Sequence, residues 1–307
     1  MEFGVMLSAT SNSYGIPDEE LPDVFARSAQ VAEESGFDVL VAGDHIVYPG
    51  EIPTDYEFSK TGKPPFDTTT SLFDVFEVLS QLAAVTDDIM LGTNVVAAPC
   101  RHPLVLTKNI FSLDVLSGGR FDFGVAPGWL KPEFDALDVP FEERGKRTDE
   151  FLEIFDLAQE EGVTDYTGDF YEFDEVGFYP QPSGDIPVWI GGKSGATFRR
   201  IAEFGDGWST LWDHPDDVAA ARERIMNAWR DYDRDGEPDI GVLRPVNINP
   251  DADDDRLLQG SASNIIADIE AYREAGTTRL IVDFFTTDID EQLDLMQQFG
   301  DEIIEAF

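Results

Sequence analysis

The sequence is poor in cysteine, in positive charge and in long apolar runs, and each shortage excludes a class of protein. Its 307 residues include a single cysteine, Cys100, so no disulfide can form within the chain, as expected in a reducing cytoplasm. No apolar run approaches the ~20 residues that a membrane span needs, and no signal-peptide pattern opens the chain. We therefore expect a cytoplasmic protein with no membrane partner.

Basic residues are scarce throughout: 21 Lys and Arg stand against 62 Asp and Glu, which gives a net charge of −41. Nucleic acid is excluded as a partner, because binding its phosphates needs a basic surface. The 23 Phe and 5 Trp nevertheless indicate a folded core. A surface that repels itself this strongly is tolerable where molar salt shortens the Debye length to ~3 Å. The charge thus indicates a salt-rich, haloarchaeal type of cytoplasm.

Several catalytic patterns are missing as well. The Walker and dinucleotide glycine spacings are absent, and so is a nucleophile elbow or a Ser/His/Asp arrangement. No group of His, Cys and carboxylate residues has the spacing of metal ligands, so we predict no metal. The chemistry must be sought in other positions.

Apolar runs and helical patterns alternate from end to end, with a break at 164–185 that predicts a hairpin inserted before strand five. Strands joined by crossover helices are parallel, and eight of them close into a (β/α)₈ TIM barrel. An open doubly wound sheet is the alternative, but the count of eight and the missing dinucleotide fingerprint favour one barrel domain over residues 1–307. The predicted strands are 3–7, 37–42, 89–96, 121–126, 188–190, 206–211, 240–248 and 280–285.

The stretch 186–200 carries the most functional information. A buried strand runs into glycines and a lysine, and a helix then begins. Glycine lets the backbone approach a ligand, and a helix N-terminus offers free N–H groups and a positive dipole end. We predict an anion site, although an ordinary strand-to-helix turn is the alternative. Its residues would be Gly191, Gly192, Lys193, Ser194, Gly195, Ala196 and Thr197, supported by Arg199 and Arg200.

Asp44 and His45 follow strand two and are the strongest acid/base candidates. Barrel enzymes place their chemistry at the carboxyl ends of the strands, and histidine can pass a proton near neutral pH. The alternative is that Asp44 caps a turn and His45 is an ordinary loop residue. We interpret His102 and His214 as structural.

Two further strand ends can border a flat ring. Trp129 follows strand four and can form one wall, although it can equally be a residue at the edge of the core. The segment from Asn94 and Val95 to Ala97 ends strand three in small residues, against which a planar cofactor can lie.

The order and spacing of several short motifs resemble the bacterial luciferase-like superfamily of flavin- and deazaflavin-dependent oxidoreductases. The resemblance covers nearly the whole chain and is closest to members that use coenzyme F420, a 5-deazaflavin. Its motifs are Gly43-Asp44-His45, Leu91 to Val95 with Arg101-His102-Pro103, Leu113 to Arg120, Gly128-Trp129 with Glu133-Phe134, Pro140 to Arg144, Ile190-Gly191-Gly192 and Gly205 to Trp208.

The resemblance implies a TIM barrel, an insertion before strand five, a homodimer and a non-prolyl cis peptide near Asn94-Val95. It also implies that Asp44 and His45 contact the ring and relay a proton. Gly128 and Trp129 would border the ring and the substrate, and residues 192–197 would bind the cofactor phosphate. The sequence departs from the pattern at Ala126-Pro127. It departs again at Trp129, where the sugar-phosphate dehydrogenase branch has an acid.

The resulting hypothesis is that reduced F420 gives a hydride to a small organic molecule while His45, oriented by Asp44, donates a proton. A deazaflavin transfers electrons as hydride only, so the protein has to position the ring and supply the proton. The alternatives are an FMN-dependent monooxygenase on the same fold and a flavin-binding protein without turnover. An aldolase or isomerase barrel is a weaker alternative, because the sequence shows no matching lysine or carboxylate group.

Overall fold

The computed structural model describes residues 1–7, 15–50, 66–249, 257–284, 286 and 288–307. In these residues eight parallel strands form a sheet in the order β3-β2-β1-β8-β7-β6-β5-β4, and pairing of Leu91 with Phe121 joins β3 to β4 and closes the barrel. The predicted (β/α)₈ barrel is confirmed. The strands are β1 (Glu2–Leu7), β2 (Val39–Ala42), β3 (Met90–Thr93), β4 (Phe121–Ala126), β5 (Val188–Gly191), β6 (Gly207–Leu211), β7 (Asp239–Pro245) and β8 (Arg279–Asp283).

One main helix follows each strand, and several of these helices begin at a polar cap. The side chains of Asp74, Ser194, Ser261 and Asp288 each accept a hydrogen bond from a backbone N–H in the first helical turn. No helix in the described ranges is both long and apolar enough to cross a bilayer. The helices are α1 (Leu21–Glu34), α2 (Val75–Ala83), α3 (Pro103–Ser117), α4 (Arg144–Glu161), α5 (Gly195–Phe204), α6 (Pro215–Asp231), α7 (Ala262–Glu274) and α8 (Ile289–Glu302).

The strands bury both of their faces, as the near-continuous apolar runs predict. One face packs against the helices in the large outer core, and the other fills the barrel with Val39, Val41, Leu243 and Ile281. Near the amino-terminal ends of the strands this filling is polar. Arg279 bonds to Glu2 at 2.7 Å and to Asp122 at 2.6 Å. Its guanidinium also lies 4.1 Å from the ring centre of Trp189.

The predicted insertion before β5 is present as an antiparallel hairpin of Val163–Thr167 and Glu172–Gly177. Glu150 of α4 holds its turn by accepting hydrogen bonds from the backbone N–H groups of residues 169–171. The insertion is therefore fixed to the barrel by a buried carboxylate.

Several predicted boundaries were wrong, and local geometry explains them. Strand three stops at Thr93, because the chain bends at Asn94 before a two-residue strand, Val96–Ala97, pairs with β4. Strand seven stops at Pro245, because the chain then leaves the barrel sheet and Asn247–Ile248 pairs with Gln259–Gly260 instead. The helical pattern of the sequence predicts a start of α7 near residue 256, but the helix starts at Ala262, because Ser261 caps it. Strand eight ends at Asp283. Phe285, the predicted end, lies outside the described residues. The sequence also predicts a long polar, proline-rich loop over 46–69, and its residues 51–65 lie outside the described ranges as well.

Candidate active site

The carboxyl ends of β2 to β5 bring most of the predicted site residues into one arc at the mouth of the barrel. The rings of Trp129 and His45 meet edge to face, with centres 6.0 Å apart. A Cβ atom on Gly128 would lie 3.1 Å from Cβ of Ala97, and one on Gly191 would lie 3.3 Å from a Val95 methyl group. Residues from four strand ends therefore form a continuous surface.

His45 is held by Glu133, a residue that was not predicted as part of the site. Nδ1 of His45 lies 2.8 Å from Oε2 of Glu133, whose side chain is only 2% exposed. Oε1 of Glu133 accepts hydrogen bonds from the backbone N–H groups of Ile46, at 2.6 Å, and Val47, at 3.3 Å. The carboxylate therefore fixes both the loop after β2 and the ring, and assigns Nδ1 as the protonated nitrogen of neutral His45.

Asp44 does not orient His45 as predicted, because its carboxylate is bound by Arg101. The two guanidinium nitrogens of Arg101 donate to Asp44 at 2.6 and 2.9 Å, and one also donates to Asp74 at 2.7 Å. The Asp44 side chain is 1% exposed. Burial raises the pKa of its carboxyl, and Arg101 acts in the opposite direction. Neighbouring residues leave the strand on opposite sides, so Asp44 anchors the strand end while His45 reaches the mouth.

The peptide bond between Asn94 and Val95 is cis, which is the feature that the resemblance implied. Oδ1 of Asn94 accepts a hydrogen bond of 2.7 Å from Ser209 on β6. Its buried Nδ2 atom has no hydrogen-bond partner within the described part of the chain. Asn94 therefore links two sides of the barrel and retains one donor for a ligand or a water.

Gly128 and Trp129 have the geometry of a wall beside the mouth. Gly128 has a φ of 86°, and a Cβ atom there would lie 2.8 Å from the Phe134 ring, so only glycine fits this position. Its carbonyl accepts a hydrogen bond from Arg144 at 3.2 Å. Trp129 is 41% exposed next to His45. The indole is thus not part of the core.

The turn from β5 to α5 has the geometry of a phosphate cradle. Residues 192–196 are exposed, and Gly192 has a φ of 118° that an L side chain rarely adopts. Oγ of Ser194 accepts from the backbone N–H of Thr197 at 3.1 Å, which caps the helix. The N–H groups of Gly195 and Ala196 have no partner inside α5, as at every helix N-terminus.

The positive side chains that were expected to support this cradle are bound elsewhere. Lys193 donates to Asp213 at 2.6 Å and to the carbonyl of Leu211 at 3.2 Å. Arg200 is buried and donates to Asp149 of α4 at 2.5 Å, and Arg199 pairs with Asp149 and Glu203. The predicted role of the two arginines was wrong, because their helical spacing turns both toward α4. Anion binding here would rest on backbone N–H groups.

Cys100 lies in the same region but is not a nucleophile. Burial first, and the nearby carboxylates of Glu133 and Asp44 next, raise the pKa of its thiol to about 12. The sequence presents Arg101 and Glu133 only as parts of motifs and gives them no predicted role in the site. An acid within a six-residue helix, Lys131–Ala136, carries no local signal of a contact with a histidine 88 residues away.

Comparison with known proteins agrees with this geometry. A family model described as luciferase-like monooxygenase matches residues 1–257. The chain belongs to this family. An uncharacterized protein from Mycobacterium tuberculosis is 30% identical over 256 residues, which cover 83% of each chain. The 5,10-methylenetetrahydromethanopterin reductase of Methanopyrus kandleri is 26% identical over 268 residues, covering 81% of this chain and 69% of the reductase.

Several solved structures share this fold, and each superposition covers nearly all of this chain and of the compared chain. Monooxygenase RslO1 from Streptomyces bottropensis has a TM-score of 0.83 at 19% identity, over 100% of this chain and 99% of its own. An F420-dependent secondary alcohol dehydrogenase has a TM-score of 0.80 at 15% identity, over 99% of this chain and 98% of its own. A third structure is the oxygenating constituent of 3,6-diketocamphane monooxygenase from Pseudomonas putida, in complex with FMN. It has a TM-score of 0.78 at 15% identity, over 99% of this chain and 97% of its own. At these identities the structural likeness concerns the fold alone.

Proposed function

We propose that this protein is an oxidoreductase that uses coenzyme F420 to transfer a hydride between the deazaflavin and a small organic molecule. The observation that carries the proposal is His45, held through Nδ1 by a buried carboxylate at the mouth of the barrel. A hydride transfer to a carbonyl or imine needs a proton donor, and a positioned histidine serves that need. The names of the Methanopyrus reductase and of the F420-dependent dehydrogenase support this class of reaction.

The residues at the mouth fit a flat ring joined to a phosphate. Asn94 presents a buried N–H donor without a partner in the described chain, and the Val95 side chain packs against the glycines of β4 and β5. The exposed turn at 192–196 leaves the N–H groups of Gly195 and Ala196 free of partners within α5. Residues 94–97 and Trp129 would hold the ring, and residues 192–197 would hold the phosphate.

A bound deazaflavin supplies a hydride donor or acceptor, and the chain supplies position and a proton. Glu133 keeps the proton of neutral His45 on Nδ1, which leaves Nε2 as the atom that exchanges a proton with the substrate. Once Nε2 is protonated, the imidazolium is stabilised by the adjacent Glu133 carboxylate and can give that proton to the substrate heteroatom. Trp129 would shield the reacting atoms from water.

The Asp44–Arg101 pair would act through position only. Both oxygens of Asp44 are bound by Arg101, and the pair lies directly beneath the loop that carries His45. Arg101 also joins this loop to Asp74, the cap of α2. The pair therefore holds the end of β2 at a constant distance from the ring site.

An FMN-dependent monooxygenase is the second candidate, favoured by the family description and by the RslO1 likeness. The test is a fluorescence titration of the apoprotein with F420 and with FMN in molar potassium chloride. Tight binding of F420 and weak binding of FMN would support the proposal, whereas the reverse would favour the monooxygenase. Binding of neither compound would contradict both.

The role of His45 has its own test in the protein loaded with cofactor. We expect His45→Ala to bind F420 normally and to lose at least ~10²-fold in turnover, the usual contribution of a general acid. Turnover equal to that of the wild type would disprove the role. His102→Ala is the matched control, because that ring caps α3 by accepting from the N–H of Leu104.

A further inference from the structure

A carboxyl group without a partner lies at the carboxyl end of β8. Within this strand Arg279 reaches across the barrel to Asp122, and Ile281 belongs to the cluster inside the barrel. Leu280 and Val282 belong to the outer core. Side chains alternate along a strand, so Asp283 follows Arg279 and Ile281 onto the inner face, one step nearer the mouth.

The surroundings of Asp283 are apolar. Pro245 of β7 pairs with it in the sheet, and the Val5–Val282 pair places Met6 of β1 on its other side. Met6 packs against the interior cluster of Val39, Val41, Leu243 and Ile281. Burial alone raises the pKa of the Asp283 carboxyl to about 7, with no contribution from another charge. This carboxyl is desolvated and is not compensated by a cation.

Three other acids near the mouth have cationic or imidazole partners, which distinguishes them from Asp283. Asp44 is bound by Arg101, Glu133 by His45 and Asp213 by Lys193. No hydrogen bond or ion pair is found for the Asp283 side chain across the described ranges. The Asp283 side chain is half-buried at the strand end. A largely desolvated polar group without a partner is costly, and such groups cluster where a ligand completes them.

The position of Asp283 in the ring of strands also separates it from the proposed cofactor residues. Those residues lie at the ends of β2, β3, β4 and β5, whereas β8 lies between β7 and β1. Arg244, a cation of the same arc, donates to the carbonyl of Trp212 at 2.5 Å. It lies on the outer face of β7, because it alternates with Leu243 of the interior cluster. The arc of β7, β8 and β1 therefore offers a substrate a carboxyl group and an apolar floor.

We propose that Asp283 is a specificity-determining residue that faces the organic substrate and selects neutral or cationic molecules over anionic ones. The assignment of this ligand as the redox substrate rests on the proposed function. Ionised Asp283 would accept an N–H or O–H from the substrate, and protonated Asp283 would donate to a carbonyl oxygen. Neither form balances the charge of a carboxylate or a phosphate, so an anion at this position would be repelled or left unpaired.

The proposal can be tested with matched ligands. For butyl, cyclohexylmethyl and phenylpropyl skeletons, the primary amine, the alcohol and the carboxylate would be titrated by NMR against the protein in molar potassium chloride at ~pH 8, where these amines are charged. Three proteins are compared: the wild type, Asp283→Asn, and Asp301→Asn as a control that removes one exposed charge from α8. The salt screens the general attraction of amines to the acidic surface.

We expect the wild type to bind the amine or the alcohol at least about tenfold more tightly than the carboxylate of the same skeleton. Asp283→Asn should lose the preference for the amine, and Asp301→Asn should retain it. Equal binding of amine and carboxylate by the wild type, an unchanged preference in Asp283→Asn, or no binding by any skeleton would overturn the proposal.

Titration of the same three proteins with F420 and FMN separates this proposal from the proposed function. We expect Asp283→Asn to keep the cofactor affinity of the wild type, because the cofactor residues lie on the other arc. Failure of the wild type to bind either cofactor would contradict the proposed function alone, since the ranking of amine, alcohol and carboxylate is read without cofactor. A large loss of cofactor affinity in Asp283→Asn would contradict the assignment of Asp283 to the substrate.

Discussion

His45 and Glu133 are 88 residues apart in the sequence, and 2.8 Å separates Nδ1 of the ring from the carboxylate. The same carboxylate accepts the N–H groups of Ile46 and Val47, so it fixes the loop after β2 as well as the ring. One buried side chain thus sets the position of the loop, the orientation of the ring and the location of its proton.

Replacing Glu133 with glutamine should move the proton of His45. The amide oxygen can still accept from Ile46 and Val47, but its NH₂ group would face Nδ1 and would favour the tautomer protonated on Nε2. We expect turnover to fall by ~10–100-fold, the usual cost of losing such a partner, while cofactor affinity is kept. Nitrogen-15 NMR of the ring would report the tautomer. Asp135→Asn, in the same short helix, is the control, and an unchanged tautomer in Glu133→Gln would contradict the assignment.

Arg101→Met should destabilise the protein by ~3–5 kcal/mol, because it leaves the buried Asp44 carboxylate without its cation. Adding Asp44→Asn in the same chain removes that uncompensated charge and should restore part of the free energy of unfolding. Denaturant unfolding in molar potassium chloride would measure both variants. A double variant no more stable than Arg101→Met would show that lost packing, including the contact of Arg101 with the Phe76 ring, dominates.

Gly124→Ala should disrupt the contact between β3 and β4. A Cβ atom at this position would lie 1.9 Å from the carbonyl oxygen of Thr93, and backbone cannot move aside as a flexible side chain can. We expect a loss of at least ~3 kcal/mol or a failure to fold. Gly184→Ala, where a Cβ atom meets nothing within 4 Å, is the matched control and should unfold like the wild type. A stable Gly124→Ala protein would contradict the packing described here.

Asp156 should make the protein less stable as the pH rises. It lies beside Glu160, Asp206 and Glu203 at the amino-terminal end of the barrel, where burial first and these carboxylates next raise its pKa to about 7. The folded chain keeps the proton between its unfolded value near 3.8 and about 7, whereas the unfolded chain loses it. Ionisation of Asp156 therefore does not lower the free energy of unfolding below pH ~4. The loss grows between pH ~4 and pH ~7 and is complete above pH ~7.

Asp156→Asn removes this penalty, and we expect its Tm to exceed that of the wild type by ~2–4 °C at pH ~8 and by nothing at pH ~4. Solvent screening of the half-buried side chain keeps the gain this small. Calorimetry at the two pH values would measure it, with Asp301→Asn as the control for general charge. A gain of equal size at both pH values would contradict the assigned cause.

Salt should hold or increase cofactor affinity, in contrast to most sites that bind anions. An anionic cofactor must approach a chain of net charge −41, and the cradle at 192–197 would bind its phosphate with backbone groups. Screening weakens the long-range repulsion more than the contacts made at the site. Titration of F420 from ~0.1 to ~3 M potassium chloride would test this, and a steep loss of affinity with salt would contradict it.

The barrel could be predicted from the sequence because its determinants are local. Alternation of apolar strands with amphipathic helices, the proline that opens α3 and the glycine turn after β5 each act within a few residues. The predicted positions of the strand ends were less accurate. β3 and β7 end where the chain bends at Asn94 or meets Pro245, and a continuous apolar run conceals both events.

The partners of the site residues could not be predicted in the same way. Lys193, Arg199 and Arg200 carry the charge that an anion site needs, but Asp213 and Asp149 compete for that charge from distant parts of the chain. In a chain so rich in acids, a basic residue near a site is more often already paired. With 62 acidic and 21 basic residues in the chain, the composition itself argues against three free cations at one site.

A cluster around one arginine affects how ligands can enter and leave the barrel. It consists of Arg279, Glu2, Asp122 and Trp189. It fills the barrel at the amino-terminal end, so the carboxyl end is the entrance that the described residues leave to a ligand. A cofactor and a substrate that react there would enter and leave through the same opening. The molecule that binds deeper could leave only after the other. For the proposed oxidoreductase, a cofactor that binds deeper than the substrate would exchange only after the product has left.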